Sequence, residues 1–237
     1  MDNLYIVIPA YNEQANIRNI IEQWYPVVEK VGKRSRLLII NDGSKDNTYE
    51  IMCEYAQNRP QLIPLTKNNG GHGAAVLYGY RYALKEGADF IFQTDSDGQT
   101  LPEEFWSFWE KREQYAMLIG HRNKREDGIS RILVTKILKI VIRFCFKVSV
   151  TDANTPFRLM KASVLAEQIQ LIPKDFNLSN VLISVIYAKK KLPVRYIPIT
   201  FKQRQGGVNS INLKKITLIG IRAVKDFRTI NRTLESM

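Results

Sequence analysis

Two aspartates one residue apart, Asp95 and Asp97, close an apolar run that begins at Phe90, and Gln99 follows two residues later. Paired carboxylates at a strand end, with an amide oxygen beside them, offer hard oxygen ligands to Mg²⁺ or Mn²⁺ and leave coordination positions for a diphosphate. A cation there offsets the repulsion between carboxylate and phosphate and stabilises a departing diphosphate as a Lewis acid. Taken alone, the same residues also fit a solvated acidic turn.

Three further polar clusters accompany this one. Pro9-Ala10-Tyr11-Asn12-Glu13 follows the apolar run Leu4–Ile8. Pro9 is expected to end the strand pairing, Tyr11 presents a flat face to a base, and Glu13 can accept hydrogen bonds from a ribose or a base. A helix-entry turn capped by Asn12, with Glu13 complementing the helix dipole, accounts for the same residues. Asn41-Asp42-Gly43-Ser44 follows Leu37–Ile40; Gly43 permits a tight turn, and Asp42 can accept an N–H from a base edge. Asn68-Asn69-Gly70-Gly71-His72-Gly73 puts glycines ahead of a helix, where backbone N–H groups can approach phosphate or sugar. The segment has neither the P-loop pattern nor the full dinucleotide fingerprint, and His72 reads as a turn residue rather than a catalytic base.

The elements that must position these clusters alternate. Apolar runs over Leu4–Ile8, Leu37–Ile40, Leu62–Leu65 and Phe90–Thr94 predict strands. Helical spacing over Asn16–Val31, a segment capped by Asp46 or Asn47 and running through Tyr55, and Gly73–Glu86 fill the intervals. Such alternation predicts an α/β fold with a mostly parallel sheet, whose ligands bind beyond the carboxyl ends of the strands. The acidic and amide clusters fall at those ends. The second half is less regular. Ile129–Val148 predicts a long helix whose Lys136, Lys139, Arg143 and Lys147 share one narrow stripe, and Leu213–Ile230 predicts another amphipathic helix. Neither carries the ~18 uncharged residues of a membrane span, but both could lie on a membrane surface.

The chain has 237 residues, 35 Lys+Arg against 23 Asp+Glu and a net charge of +12. With 45% hydrophobic residues it can build a core, which excludes a disordered or collagen-like chain. The charge is divided: residues 1–110 carry −5 and residues 111–237 carry +17. Two distant cysteines, Cys53 and Cys145, read as core thiols of a reducing compartment, and no leader precedes Leu4, so a cytoplasmic protein is expected. The basic half shows no helix-turn-helix, zinc finger or ribonucleoprotein motif, so nucleic acid is not the expected partner.

In joint order these clusters resemble the inverting family 2 glycosyltransferases of GT-A fold, over roughly residues 4–210. The branch most similar moves a sugar from a nucleotide diphosphate to a polyprenyl phosphate, as dolichyl-phosphate mannosyltransferases and undecaprenyl-phosphate sugar transferases do. The resemblance implies nucleotide binding by Pro9, Tyr11 and Glu13, base contact by Ile40, Asn41 and Asp42, and metal and diphosphate binding by Asp95, Ser96, Asp97 and Gln99. It implies that Arg122, in Gly120-His121-Arg122, and Arg204, in Arg204-Gln205-Gly206-Gly207, reach the donor phosphates. Asp152, which opens Asp152-Ala153-Asn154-Thr155-Pro156-Phe157-Arg158, is the candidate base for a hydroxyl acceptor, or else a salt-bridge partner of Arg158. Asn41 replaces an aspartate of the family pattern, Pro156 a glycine, and Asn177 stands where many relatives carry an acid. A phosphate acceptor needs no strong base, whereas a sugar hydroxyl does. The domain is expected to span residues 1–211, with 212–237 an amphipathic, membrane-facing helix and the inner membrane face as the place of work. A basic nucleic-acid-binding module, a nucleotidyltransferase and an inactive scaffold are the competing classes. The intact Asp95 and Asp97 speak against the last.

Overall fold

The computed structural model describes residues 2–122 and 128–202 together with Phe227, Ile230 and Asn231, and gives the backbone alone for Arg122 and residues 128–136. The first three strands are β1 (Leu4–Ala10), β2 (Arg36–Asp42) and β3 (Leu62–Lys67). The remaining four are β4 (Phe90–Gln93), β5 (Met117–Arg122), β6 (Arg158–Lys161) and β7 (Val194–Ile199). They form one sheet in the order β3-β2-β1-β4-β6-β5-β7. β6 runs antiparallel to both of its neighbours, and every other pair is parallel.

Alternation along the central strands feeds two cores. Leu4, Ile6 and Ile8 of β1, with Leu37 and Ile39 of β2, pack on the face covered by α1 (Ile17–Val31), α2 (Thr48–Ala56) and α4 (Phe105–Trp109). Val7, Leu38 and Ile40 point the other way, toward α3 (His72–Lys85), α5 (Gly128–Phe146), α6 (Ala162–Gln168) and α7 (Ser179–Lys189). Burial on both faces is why these strands read as continuous apolar runs. Trp24 is fully buried among Phe92 and Phe157, at ring-centroid distances of 5.4 and 6.2 Å.

α3 lies close against the sheet because Gly79 has no side chain there. A Cβ on Gly79 would stand 2.5 Å from Val7 Cγ1 and 2.8 Å from Ile40 Cδ1. Gly79→Ala is therefore expected to lose stability despite the ~1 kcal/mol that alanine gains as a helix former, because overpacking costs about 1–3 kcal/mol. A lowered urea midpoint at unchanged m-value checks this.

Pro9 does not end β1. Pairing with β2 continues through Pro9↔Ile40 and Ala10↔Asn41. β4 accompanies β1 only to Val7, where the Thr94 N–H donates to the Val7 carbonyl at 3.3 Å. Two residues on, the Pro9 nitrogen faces the same side, beyond the end of β4, so no ladder bond is lost.

The predicted helix over Leu213–Ile230 lies outside the described residues except at its end. There Phe227 is fully buried, with its ring 5.2 Å from that of Phe146 and 6.1 Å from that of Phe176, and Ile230 is buried beside it. These two apolar residues are thus spent on the protein's own core.

Candidate active site

The strand order reverses direction at β1: the chain leaves β1 for β2 and β3 on one side and returns to β4 on the other. In a parallel sheet this switch point opens a crevice beyond the carboxyl ends of the strands. Tyr11–Glu13, Asn41–Ser44 and Asp95–Asp97 all stand there, at or just past the ends of β1, β2 and β4.

The first two loops are stitched together. Asn12 N–H donates to Ser44 Oγ at 2.9 Å, Asn12 Oδ1 accepts from Lys45 N–H at 2.8 Å, and Glu13 N–H donates to Thr48 Oγ1 at 2.9 Å. Gln14 N–H reaches Asp46 Oδ2 at 3.2 Å. Asn12, with φ +54°, is therefore a cross-loop brace rather than the cap of α1, whose first residues bond the Glu13 carbonyl instead. Burial works against ionisation of Asp46, but hydrogen bonds from the Thr48 hydroxyl and from backbone N–H groups outweigh it and hold the carboxyl below its usual range. On this platform Tyr11 is 45% exposed, while Glu13 is buried and accepts from Asn16 Nδ2 at 2.7 Å.

β2 and β3 supply the next layer. Their register sets Asn41 beside Thr66 and Asp42 beside Lys67. Asn41 Nδ2 donates to Thr66 Oγ1 at 2.9 Å, and Asn41 Oδ1 accepts from Ser44 N–H at 3.1 Å. Asp42 Oδ1 accepts from Lys67 Nζ at 2.8 Å and from Gly70 N–H at 3.0 Å, and its Oδ2 accepts from Gly71 N–H at 2.8 Å. Asp42, buried at the end of β2, thus spends both carboxylate oxygens on organising the glycine-rich loop. No sequence pattern marks Lys67, because only strand register brings it to Asp42.

At the end of β4, Asp95 Oδ1 lies 2.8 Å from His72 Nε2, which places His72 as the first residue of α3 against the acidic pair rather than in a free turn. Asp97 Oδ1 accepts from Gln99 N–H at 3.2 Å, and Ser96 is buried. Gln99 Nε2 donates to the Lys202 carbonyl and Lys202 N–H to the Gln99 carbonyl, both at 2.8 Å. This ties the chain just ahead of Arg204 to the acidic loop. Arg204 itself and the Arg122 side chain lie outside the described residues, although the Arg122 backbone ends β5 beside Ile199.

Asp152 is buried and accepts from Asn154 N–H at 3.3 Å. Arg158, fully buried on β6 opposite Gln93, spends its guanidinium on neutral acceptors: the carbonyls of Ala153, Thr155 and Asn180 and the Ser184 hydroxyl, at 2.7–3.3 Å. Burial draws its pKa below the ordinary value, with Tyr80, Tyr196 and Asp152 pulling the other way. The arginine that closes the motif therefore holds the 152–157 turn onto α7. Tyr80 donates its hydroxyl to Gln93 Oε1.

Among the described residues no three His, Cys, Asp or Glu side chains gather as a self-sufficient metal cage. Asp95 and Asp97 are a two-carboxylate donor set of the sort Mg²⁺ and Mn²⁺ use when phosphate oxygens supply the remaining positions. The donor set fits a cation that arrives with a diphosphate.

A mostly parallel sheet with its polar loops gathered at the β1/β4 switch point defines the GT-A class of nucleotide-sugar transferase folds. Within that class the chain belongs to glycosyl transferase family 2, whose sequence pattern matches residues 5–168. It is 25% identical over 201 residues to an undecaprenyl-phosphate 4-deoxy-4-formamido-L-arabinose transferase of Pectobacterium atrosepticum, covering 80% of this chain and 61% of that protein. Against the Salmonella paratyphi B transferase of the same name it is 32% identical over 142 residues, covering 58% of this chain and 42% of that one. The chain thus spans about three fifths of the length of the first of these relatives. Glucosyl-3-phosphoglycerate synthase from Mycobacterium tuberculosis, solved with Mn²⁺ and UDP-glucose, shares the fold with a TM-score of 0.68 at 14% identity, over 97% of this chain and 79% of that one.

Proposed function

We propose that this chain is an inverting, metal-dependent glycosyltransferase that moves a sugar from a UDP- or GDP-sugar to a polyprenyl phosphate. The observation that carries the proposal is the convergence of the stitched 11–14 and 43–48 loops with Asp95 and Asp97 at one switch point. The names of the curated relatives support the lipid phosphate acceptor.

In this reading Tyr11 and Glu13 bind the nucleoside, with Pro9, Ile40, Asn41 and Asp42 shaping its base pocket. Asp95 and Asp97, with Ser96 and Gln99 framing their turn, hold Mg²⁺ or Mn²⁺, which supplies Lewis-acid stabilisation of the diphosphate. Arg122 and Arg204 add donor-phosphate contacts from the second half. A phosphate acceptor is already ionised and attacks the anomeric carbon in line without a strong base, consistent with Asn177 in place of an acid. A glycan hydroxyl acceptor would instead require Asp152 to take the proton. Incubation with radiolabelled UDP- and GDP-sugars, Mn²⁺ and undecaprenyl phosphate tests this directly. Label entering the organic phase is the expected result; label appearing only in water-soluble glycan would assign the hydroxyl acceptor instead.

The proposal includes work at a membrane surface on the cytoplasmic side. No helix among the described residues is long and apolar enough to cross a membrane. On α5, however, Ile137, Ile140 and Phe144 are 52%, 68% and 72% exposed, the exposed Lys139 and Arg143 run alongside them, and the exposed Lys147 follows just past the helix end. Exposed apolar residues flanked by cations match an anionic interface. The protein is expected to sediment with anionic liposomes at low salt and to be released at high salt. Ile140→Glu, at an exposed position, is expected to weaken sedimentation several-fold without lowering the melting temperature, since inserting a carboxylate into the interface is costly. Absence of low-salt binding by the parent protein would contradict the membrane assignment.

A further inference from the structure

His72 has no task in the function above, yet it is the side chain that meets the acidic pair. Its Nε2 stands 2.8 Å from Asp95 Oδ1. The helix end that carries it is held from two sides. Gly70 and Gly71 donate their N–H groups to the Asp42 carboxylate at 3.0 and 2.8 Å. Gly73 is packed so closely on the 176–177 turn that a Cβ would run into the carbonyl oxygens of Phe176 and Asn177. The imidazole is therefore delivered to Asp95 on a rigid mount, with its ring about half exposed to the crevice.

A carboxylate that binds a cation has two oxygens and a rotatable side chain. A donor fixed on one oxygen removes that rotation and leaves the remaining lone pairs aimed at the metal. Burial disfavours the imidazolium, but Asp95 and then Asp97 outweigh it, so the ring's pKa is raised. The hydrogen bond does not require that charge, because the neutral Nε2–H tautomer also donates it, though the charged ring donates it more strongly.

We propose that His72 is a positioning residue for the divalent cation: by donating its Nε2–H to Asp95 Oδ1, it fixes that carboxylate in the orientation that binds metal. The proposal rests on the metal assignment of the preceding section, and the test separates the two. Mn²⁺ binding is measured by the electron paramagnetic resonance of free MnCl₂, in the presence of saturating UDP or GDP, for the parent, His72→Ala and His72→Gln. Nucleotide binding in EDTA serves as the metal-free control.

The expected result is a Mn²⁺ dissociation constant raised about 10–100-fold in His72→Ala, the usual effect of losing an outer partner of a metal ligand. Metal-free nucleotide affinity should stay unchanged. His72→Gln, whose amide N–H occupies the place of Nε2–H, should recover most of the loss. Parent-like Mn²⁺ affinity in His72→Ala would overturn the proposal and leave the metal site standing. Equal weakening in both variants would also overturn it, since donation would then not be what matters. No Mn²⁺ binding by the parent with either nucleotide would overturn the metal assignment and this proposal together.

Discussion

Asp97→Ala is expected to lower sugar transfer by on the order of 10³-fold, the scale of removing a main electrostatic stabiliser of a departing charge. Asp95 and Asp97 are the two carboxylates in the donor set at the end of β4, and a single carboxylate holds a divalent cation poorly. The structural cost is expected to be small beside the catalytic one, because Asp97 is only partly buried, on a loop past the end of β4. Loss of transfer with little change in melting temperature would set this chain apart from a scaffold or a nucleic-acid-binding module. Retention of a tenth or more of parental transfer would contradict the assignment.

Arg158→Met should have the largest effect on stability. It takes both guanidinium donors from the Thr155 carbonyl and one each from the carbonyls of Ala153 and Asn180, which keep the Ser184 hydroxyl, in a fully buried region. The stranded Thr155 carbonyl costs about 1–3 kcal/mol and the two other lost bonds from a charged donor add to it, while part is returned because a buried guanidinium no longer has to be desolvated. The net loss expected is about 3–5 kcal/mol, a large share of the 5–15 kcal/mol that holds a typical domain. Arg158→Lys should recover only part, since an ammonium has three donors and no planar fork. Urea denaturation at fixed pH measures both variants. A loss below about 1 kcal/mol for Arg158→Met would show that the 152–157 turn does not depend on this arginine.

The arginine also shows where sequence patterns stop being informative. β1, β2 and β4 were legible because both of their faces are buried, so Leu4–Ile8, Leu37–Ile40 and Phe90–Gln93 are almost uninterrupted apolar runs. β5, β6 and β7 interrupt their apolar residues with Gly120-His121-Arg122, Arg158, Lys161, Arg195 and Pro198, and periodicity alone does not separate them from loops. β6 is only four residues long and is set by its antiparallel pairing to β4 and β5, a long-range feature.

The site divides in the same way. Asp95, Asp97 and Glu13 stand out because each belongs to a polar cluster that closes an apolar run. Lys67 and Thr66 become visible only through the β2–β3 register, and His72 only when the start of α3 is set against the end of β4. The division of charge keeps a physical meaning. The acidic half holds the carboxylates of the crevice, and the basic half contributes Lys139 and Arg143 to one exposed face of α5 and Lys147 just past its end.

Thermal unfolding in the presence of UDP-sugars and GDP-sugars, with Mn²⁺ or with EDTA, tests the central claim that the β1/β4 crevice is a metal-assisted nucleotide-sugar site. A ligand at a hundred times its dissociation constant stabilises a protein by about 2.7 kcal/mol. At least one donor series should therefore raise the melting temperature by several degrees in Mn²⁺ and by less in EDTA, and Asp97→Ala should abolish the metal-dependent part. No shift with any nucleotide diphosphate, or a shift that Asp97→Ala leaves intact, would contradict it.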